Sequence, residues 1–332
     1  MAHLVESMAY AGEVPWHGLG VKVIDDLTPA QMLEKAGLDW TVSMHDMHAD
    51  YPIMTEAGLA TKILPIDIRK AIVKTTPLGE SSVVGVVGNK YKIFQNDEIF
   101  SSLDAIVDSG EARYAAAGEY DGGAKVWMLM SLPKEVNVAG DPHAAFLLAK
   151  TTHDGSGSVT IRPVIERLFC MNQINGLLRR KNKMQYRLPH TINSQLSAGD
   201  IRNILQISYD SIEQYETIAN YLQSKVVSRQ AAVEYFKRVW ALPSKIENTS
   251  YDLLSKGEKT AKTRALKARQ TALNIYEQSE TQSNIHGTAF GLWHAVVEYT
   301  DHNSSKTAAV ATLAQRNDDI KYRGLELLGV TA

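Results

Sequence analysis

The chain is expected to be an α+β protein: a mainly antiparallel sheet with helices packed on one face over residues 1–195, then an all-helical region over residues 196–332. Three observations carry that expectation. Residues 39–162 alternate short β-branched and aromatic runs with Gly, Pro, Asn and Asp breaks, and the connections are too short for parallel crossovers. Asp121-Gly122-Gly123 stands between two strand-like runs, 112–120 and 125–132, which is a hairpin signature. From Asp200 onward the apolar residues recur at i, i+3 and i+4, the spacing of an amphipathic helix.

In chain order, a short amphipathic piece leads into Pro15-Trp16-His17-Gly18-Leu19-Gly20, an irregular segment with Trp16 as an anchor. His17 has no partner at ligand spacing and reads as a turn residue. Thr28-Pro29 is a helix start, with Thr as N-cap and Pro at the first helical position, and that helix ends at Ala36-Gly37. Strands are expected at 40–42, 59–64, 82–87 and 91–94, with Gly88-Asn89 as a hairpin centre. Asn96-Asp97-Glu98 caps a helix through Ile99, Leu103, Ile106 and Val107, stopped by Gly110. After the DGG hairpin come a strand over 144–151, a turn-rich break at 153–158 and a strand at 159–162. From Val164 the spacing of Ile165, Leu168, Phe169, Met171 or Asn172, and Leu177 predicts a helix running into Arg179-Arg180-Lys181-Asn182-Lys183. Further helices are expected at 200–228, 230–240, 256–278, 286–302, 307–315 and 320–328.

Composition bounds the class. A hydrophobic content of 44% and charged content of 22% are those of an ordinary globular protein. One cysteine, Cys170, excludes an internal disulfide and fits a reducing, cytoplasmic setting. No apolar run approaches the roughly 20 residues of a membrane span, so no membrane partner is expected. Net charge is only −2, but it is unevenly spread. Residues 1–157 hold 12 Lys+Arg against 21 Asp+Glu, a balance of −9, and residues 158–332 hold 23 against 16, a balance of +7. One half meeting a polyanion explains this, as does docking of the basic half on an acidic one.

The residues offer no case for catalysis. Cys170 lies among apolar neighbours and reads as a small core hydrophobe rather than a nucleophile. Asp25-Asp26 and Asp318-Asp319 look like turn and helix-start residues. His45 and His48 lack a third ligand nearby, and no Ser-His-Asp arrangement, Walker segment or dinucleotide fingerprint occurs. Neither cofactor nor metal is expected.

The basic cluster is the better signal. Arg162, Arg167, Arg179, Arg180, Lys181, Lys183, Arg187 and His190 fall close together with Tyr186 among them, and the positive charge continues on Lys256, Lys259, Lys262, Arg264, Lys267 and Arg269. Cations neutralise phosphates, and aromatics stack on unpaired bases. A solvated helix end is the plainer reading of the same residues.

PWHGLG (15–20), AGLDW (36–40), YKIFQN (91–96), GGAKVWMLMSLP (122–133), IRPVIERLFCMNQIN (161–175), HT (190–191) and GTAFGLWHAVVEYTDH (287–302) together resemble the phage/plasmid-like protein family, catalogued as a domain of unknown function. That resemblance implies a mobile-element protein in a bacterial host cell. At the level of fold alone, helix, antiparallel hairpin sheet and Arg-bearing helix are similar to the Rad-fifty-two-like single-strand annealing superfamily, whose members form rings or filaments around single-stranded DNA. The resulting expectation is a non-enzymatic single-stranded DNA-binding protein that assists recombination by strand annealing, or replication, and that forms a homo-oligomer. The alternative is an interaction factor that acts through its acidic face on host defence or host machinery, with a host or phage protein as partner.

Overall fold

The computed structural model describes residues 5–11, 21–23, 27–108, 110, 112–134, 136–138, 140–167, 172–174, 185–195, 197–303 and 318–330. Twelve strands are described: β1 (Val5–Ala11), β2 (Val21–Val23), β3 (Thr41–Thr55), β4 (Gly58–Thr75), β5 (Ser81–Val87), β6 (Arg113–Tyr120), β7 (Lys125–Ser131), β8 (Val136–Val138), β9 (Asp141–Thr152), β10 (Val159–Arg167), β11 (Asn172–Ile174) and β12 (Tyr186–Leu188). Nine form one sheet in the order β11-β10-β9-β7-β6-β1-β2, with β12 beside β10 and β8 beside β9, and every pairing but β1 with β2 is antiparallel. The remaining three make a separate sheet, β3-β4-β5.

The helices are α1 (Pro29–Lys35), α2 (Asn96–Ser101), α3 (Asp104–Asp108), α4 (Ala198–Gln223), α5 (Arg229–Val239), α6 (Ser244–Asn248), α7 (Lys256–Gln278), α8 (Ala289–Glu298) and α9 (Asp318–Leu327). Thr28, Ser197 and Ser255 each accept a backbone N–H in the first turn, and the residue three positions on answers as in a capping box. The α+β class therefore stands, with helices concentrated in the C-terminal half.

Strand alternation sorts the core. Ala117, Val126, Met128, Met130, Ala145, Leu147, Ile161 and Ile165 point to one face and join Ile212, Tyr215, Phe290 and Trp293 from α4 and α8. Tyr10, Ala116, Tyr120, Trp127, Leu129, Leu148 and Val164 point to the other. A polar tie joins sheet to helix: His143 on β9 bonds through Nε2 with the Tyr215 hydroxyl at 2.7 Å and through Nδ1 with the Asp141 carbonyl at 2.9 Å.

The single helix expected from Asn96 through Val107 is two short ones, α2 and α3, with Gln95 at the N-cap position, and three further sequence expectations change. No helix begins at Val164. β10 continues through Pro163 to Arg167, and β11 pairs back on it with Ile165 opposite Ile174. Val159, Ile161, Val164 and Ile165 suit a pleated surface, and Pro163 falls in the gap between β12, which pairs residues 159–161, and β11. A short apolar run fits either period, and pairing decided it. Of the rest of that expected helix, residues 172–174 are strand β11, while 168–171 and 175–184, with Cys170, Arg179, Arg180, Lys181 and Lys183, lie outside the described residues, as do His17 and the helix expected at 307–315.

Second, Gly88-Asn89 does not turn a hairpin, and 91–94 is not a strand. β5 pairs with β4, while Tyr91 bridges to Thr191 and the Lys92 N–H donates to the His190 carbonyl. Third, the short strands expected near 40 and 59 are parts of a long ribbon, β3 against β4, paired from Thr41–Thr75 out to Thr55–Gly58. His45 and His48 sit on it, exposed, and His48 Nε2 lies 3.6 Å from Asp50 Oδ1.

Candidate nucleic-acid interface

Four of the motifs quoted above for the family resemblance, 36–40, 91–96, 122–133 and 190–191, contribute to a buried clasp rather than an open site. Trp40 Nε1 donates to Glu119 Oε2 at 2.8 Å, and Lys74 Nζ donates to both Glu119 oxygens at 2.9 Å. Gly123 (φ +88°) leaves room for that lysine, since a Cβ there would stand 2.7 Å from its Nζ. Asn96 Nδ2 donates to the Leu38 carbonyl, which leaves its Oδ1 to accept from His153 Nε2 at 3.0 Å. His153 is fully buried, and burial, then the neighbouring His190, pulls its pKa down to about 4, so its ring is neutral near pH 7. His190 stacks on Tyr91 with ring centroids 4.6 Å apart and bonds through Nδ1 with the Lys92 carbonyl. These groups hold strands and loops together.

The open cationic site is on α7. Ala265, Ala268, Ala272 and Tyr276 turn inward. Small side chains at three of those positions let the helix lie close to α5 and α8. Lys256, Lys259, Thr260, Thr263, Arg264 and Lys267 recur at helical spacing along one stripe. Tyr251, in a single 3-10 turn ahead of the helix (Tyr251–Leu253), lies over this stripe. Its hydroxyl is 3.1 Å from Thr263 Oγ1, its ring centroid is 5.7 Å from Lys259 Nζ, and it stays 48% exposed. Tyr251, Lys256, Lys259, Thr260, Thr263 and Arg264 line an open cavity of about 630 Å³.

Its charge is uncompensated. Among the described residues, Lys256, Lys259, Arg264 and Lys267 form no ion pair. The acid nearest in sequence, Glu258, is held at the helix start by the Ser255 hydroxyl and N–H at 2.7 and 2.9 Å, which keeps its pKa down at about 2.

Lys262, expected in the site, and Arg269, expected only to continue the positive charge, both have internal partners. Lys262 donates to the carbonyls of Ile246, Glu247 and Thr249 at 2.8–3.0 Å, closing the end of α6. Arg269 grips both Glu247 oxygens and the Trp240 carbonyl. Together they clamp the 240–249 segment on α7, and that placement is what sets Tyr251 over the stripe.

Of the first cluster, only Arg162, Tyr186, Arg187 and His190 have described side chains, and they differ in exposure. Arg162 is 5% exposed, with Nη1 3.9 Å from Asp318 Oδ2, so it presents no charge outside. Tyr186 is partly buried against the core with its hydroxyl bonded to Asp200, and burial, then that carboxylate, raises its pKa to about 12. Arg187 is exposed on β12, and the Arg167 backbone ends β10 opposite Asn172. Sequence reasoning missed Tyr251, although an aromatic five residues ahead of a Lys-rich capped helix was a usable signal.

A family model described as a domain of unknown function, DUF932, matches residues 83–322. The chain belongs to the DUF932 family. No curated protein and no solved structure matches the chain. The DUF932 span takes in the sheet from β6 onward, the clasp residues from Tyr91 to His190 and the whole α7 groove, but not β3 and β4.

Proposed function

We propose that this DUF932 protein binds single-stranded nucleic acid along α7, without covalent chemistry, in support of strand annealing or replication on a mobile element. The observation that carries the reading is the groove itself. Lys256, Lys259 and Arg264 face a cavity beside the half-exposed Tyr251 ring, and two internal clamps, Lys262 and Arg269, hold that ring in place. Cations tracking a backbone beside an aromatic that any base can stack on is the pattern of sequence-tolerant single-strand binding. The excess of positive charge after residue 157 supports it, and so does the resemblance to phage and plasmid proteins. Assembly into a ring or filament belongs to the same reading. Fluorescence anisotropy with labelled single- and double-stranded oligonucleotides tests it: tighter, salt-dependent binding of the single strand is expected, and equal weak binding of both refutes it.

One observation favours a second reading, a protein-interaction factor. The β3–β4 ribbon exposes Met54 (80%), Leu59 (77%) and Ile63 (65%) on one face and Tyr51 (56%) on the other, apolar side chains of the kind that mark interaction sites. Capture of a defined host protein by the ribbon, with no oligonucleotide binding, would establish it.

A further inference from the structure

A second cationic locus lies on the sheet, on the face of Trp127 and Val164. Antiparallel register sets Arg187 of β12 opposite Thr160 of β10, Thr160 opposite Lys150 of β9, and Lys150 opposite Trp127 of β7. Directly opposed residues share a face, so Arg187, Thr160 and Lys150 form one cross-strand row. Arg162, two residues beyond Thr160 and therefore on the same face, lies behind the row and is buried.

The carboxylates nearby are already engaged. Asp121 and Asp154 pair with Lys125 at 2.6 and 3.2 Å, and Asp318 faces Arg162. Lys150 is partly buried, yet its ammonium has no hydrogen bond or ion pair with any described residue. Burial first, then the charges of Arg162 and Lys125, pull its pKa down to about 8, with Arg187 adding to the repulsion and Asp318 opposing it. A cation held away from water among other cations is costly unless an anion compensates it. The charge, the Thr160 hydroxyl and the exposed Arg187 fork are the donors an oxyanion needs, and Arg187 leaves the row open to solvent on one side.

We propose that Lys150, Thr160 and Arg187 bind a phosphate group, with Arg162 supplying field from behind. The site is separate from the α7 groove and does not rest on the reading given to that groove. Its ligand is either a backbone phosphate of a polynucleotide or a free phosphate or nucleotide.

The test is an NMR titration of the Lys150 side chain in the full chain, in chloride and in inorganic phosphate at equal ionic strength. In chloride Lys150 is expected to titrate near 8. Saturating phosphate is expected to raise that midpoint by about one unit, because a bound anion favours the charged form. Arg187→Gln, an exposed substitution that leaves the fold intact, should weaken the phosphate effect several-fold. Lys150→Met should abolish phosphate-dependent thermal stabilisation, while Lys259→Ala in the groove leaves it unchanged. A Lys150 midpoint that is the same in both salts, or a phosphate effect indifferent to Arg187→Gln, overturns the site. A single-stranded oligonucleotide then identifies the source: displacement of phosphate assigns a backbone phosphate, and retention assigns a free phosphate or nucleotide. Loss of oligonucleotide binding in groove variants, with the Lys150 response intact, would separate failure of one locus from failure of the other.

Discussion

Glu166 shows how position in a strand sets the chemistry of one residue. It lies on β10 with 5% exposure, and burial, then the Asp301 carboxylate, pushes its pKa up to about 7. The folded state therefore binds a proton more tightly than the unfolded chain, whose carboxyl titrates near 4.3. Stability from this group is present in full below about 4.3 and is lost as pH rises through about 7. Glu166→Gln should remove that dependence, leaving the variant more stable than the wild type at pH 8 by roughly 2–3 kcal/mol and about equal to it near pH 4. Urea unfolding of both proteins across this range checks it, and a gap that does not widen with pH would show that the carboxyl is already ionised in the fold. The same residue marks where sequence reading failed. As one turn of an expected helix Glu166 is an ordinary exposed acid, and only the pairing of β10 between β9 and β11 makes it buried.

At the scale of elements, α7 was legible and its division of labour was not. Ser255 with Glu258, the Lys-rich exposed positions and the alanine face all stand in the sequence, and the helix bounds 256–278 agree with the structure. Nothing in the spacing tells Lys259 from Lys262, because a helix face is assigned to a neighbour only once α6 has folded against it. The two differ sharply in energetics. Lys262→Ala strips the partner from three carbonyls and should cost about 1–3 kcal/mol in unfolding free energy. Lys259→Ala should change stability by less than about 0.5 kcal/mol. Denaturant melts of the two variants separate scaffold from surface, and equal effects would contradict the assignment. The β3–β4 ribbon was seen only as fragments, since its length comes from cross-strand pairing that no local pattern records. No residue from Met47 to Ile66 is buried. Replacing 47–66 by a tight turn should therefore leave the unfolding midpoint of the remaining protein within a few degrees of the parent's, and a collapse of that midpoint would mean the ribbon is part of the core.

Across the whole molecule, the antiparallel sheet and the helical second half follow from patterning that is local: hairpin turns, caps and periodicity. The site does not, because it depends on which cations the tertiary structure consumes. Arg162, Lys262 and Arg269 are spent internally, and Lys256, Lys259 and Arg264 are left on one open groove with Tyr251. Tyr251→Ala should then cost single-strand affinity roughly 1–3 kcal/mol and leave duplex binding nearly unchanged. The most direct measurement is a salt titration of single-stranded oligonucleotide binding by the wild type and by the variant carrying Lys256→Ala, Lys259→Ala and Arg264→Ala. Three lost phosphate contacts should flatten the slope of log affinity against log salt by about 2, at roughly 0.7 per contact, and weaken binding whatever the base sequence. A triple variant that binds with the wild-type affinity and the wild-type slope would contradict the assignment of the groove.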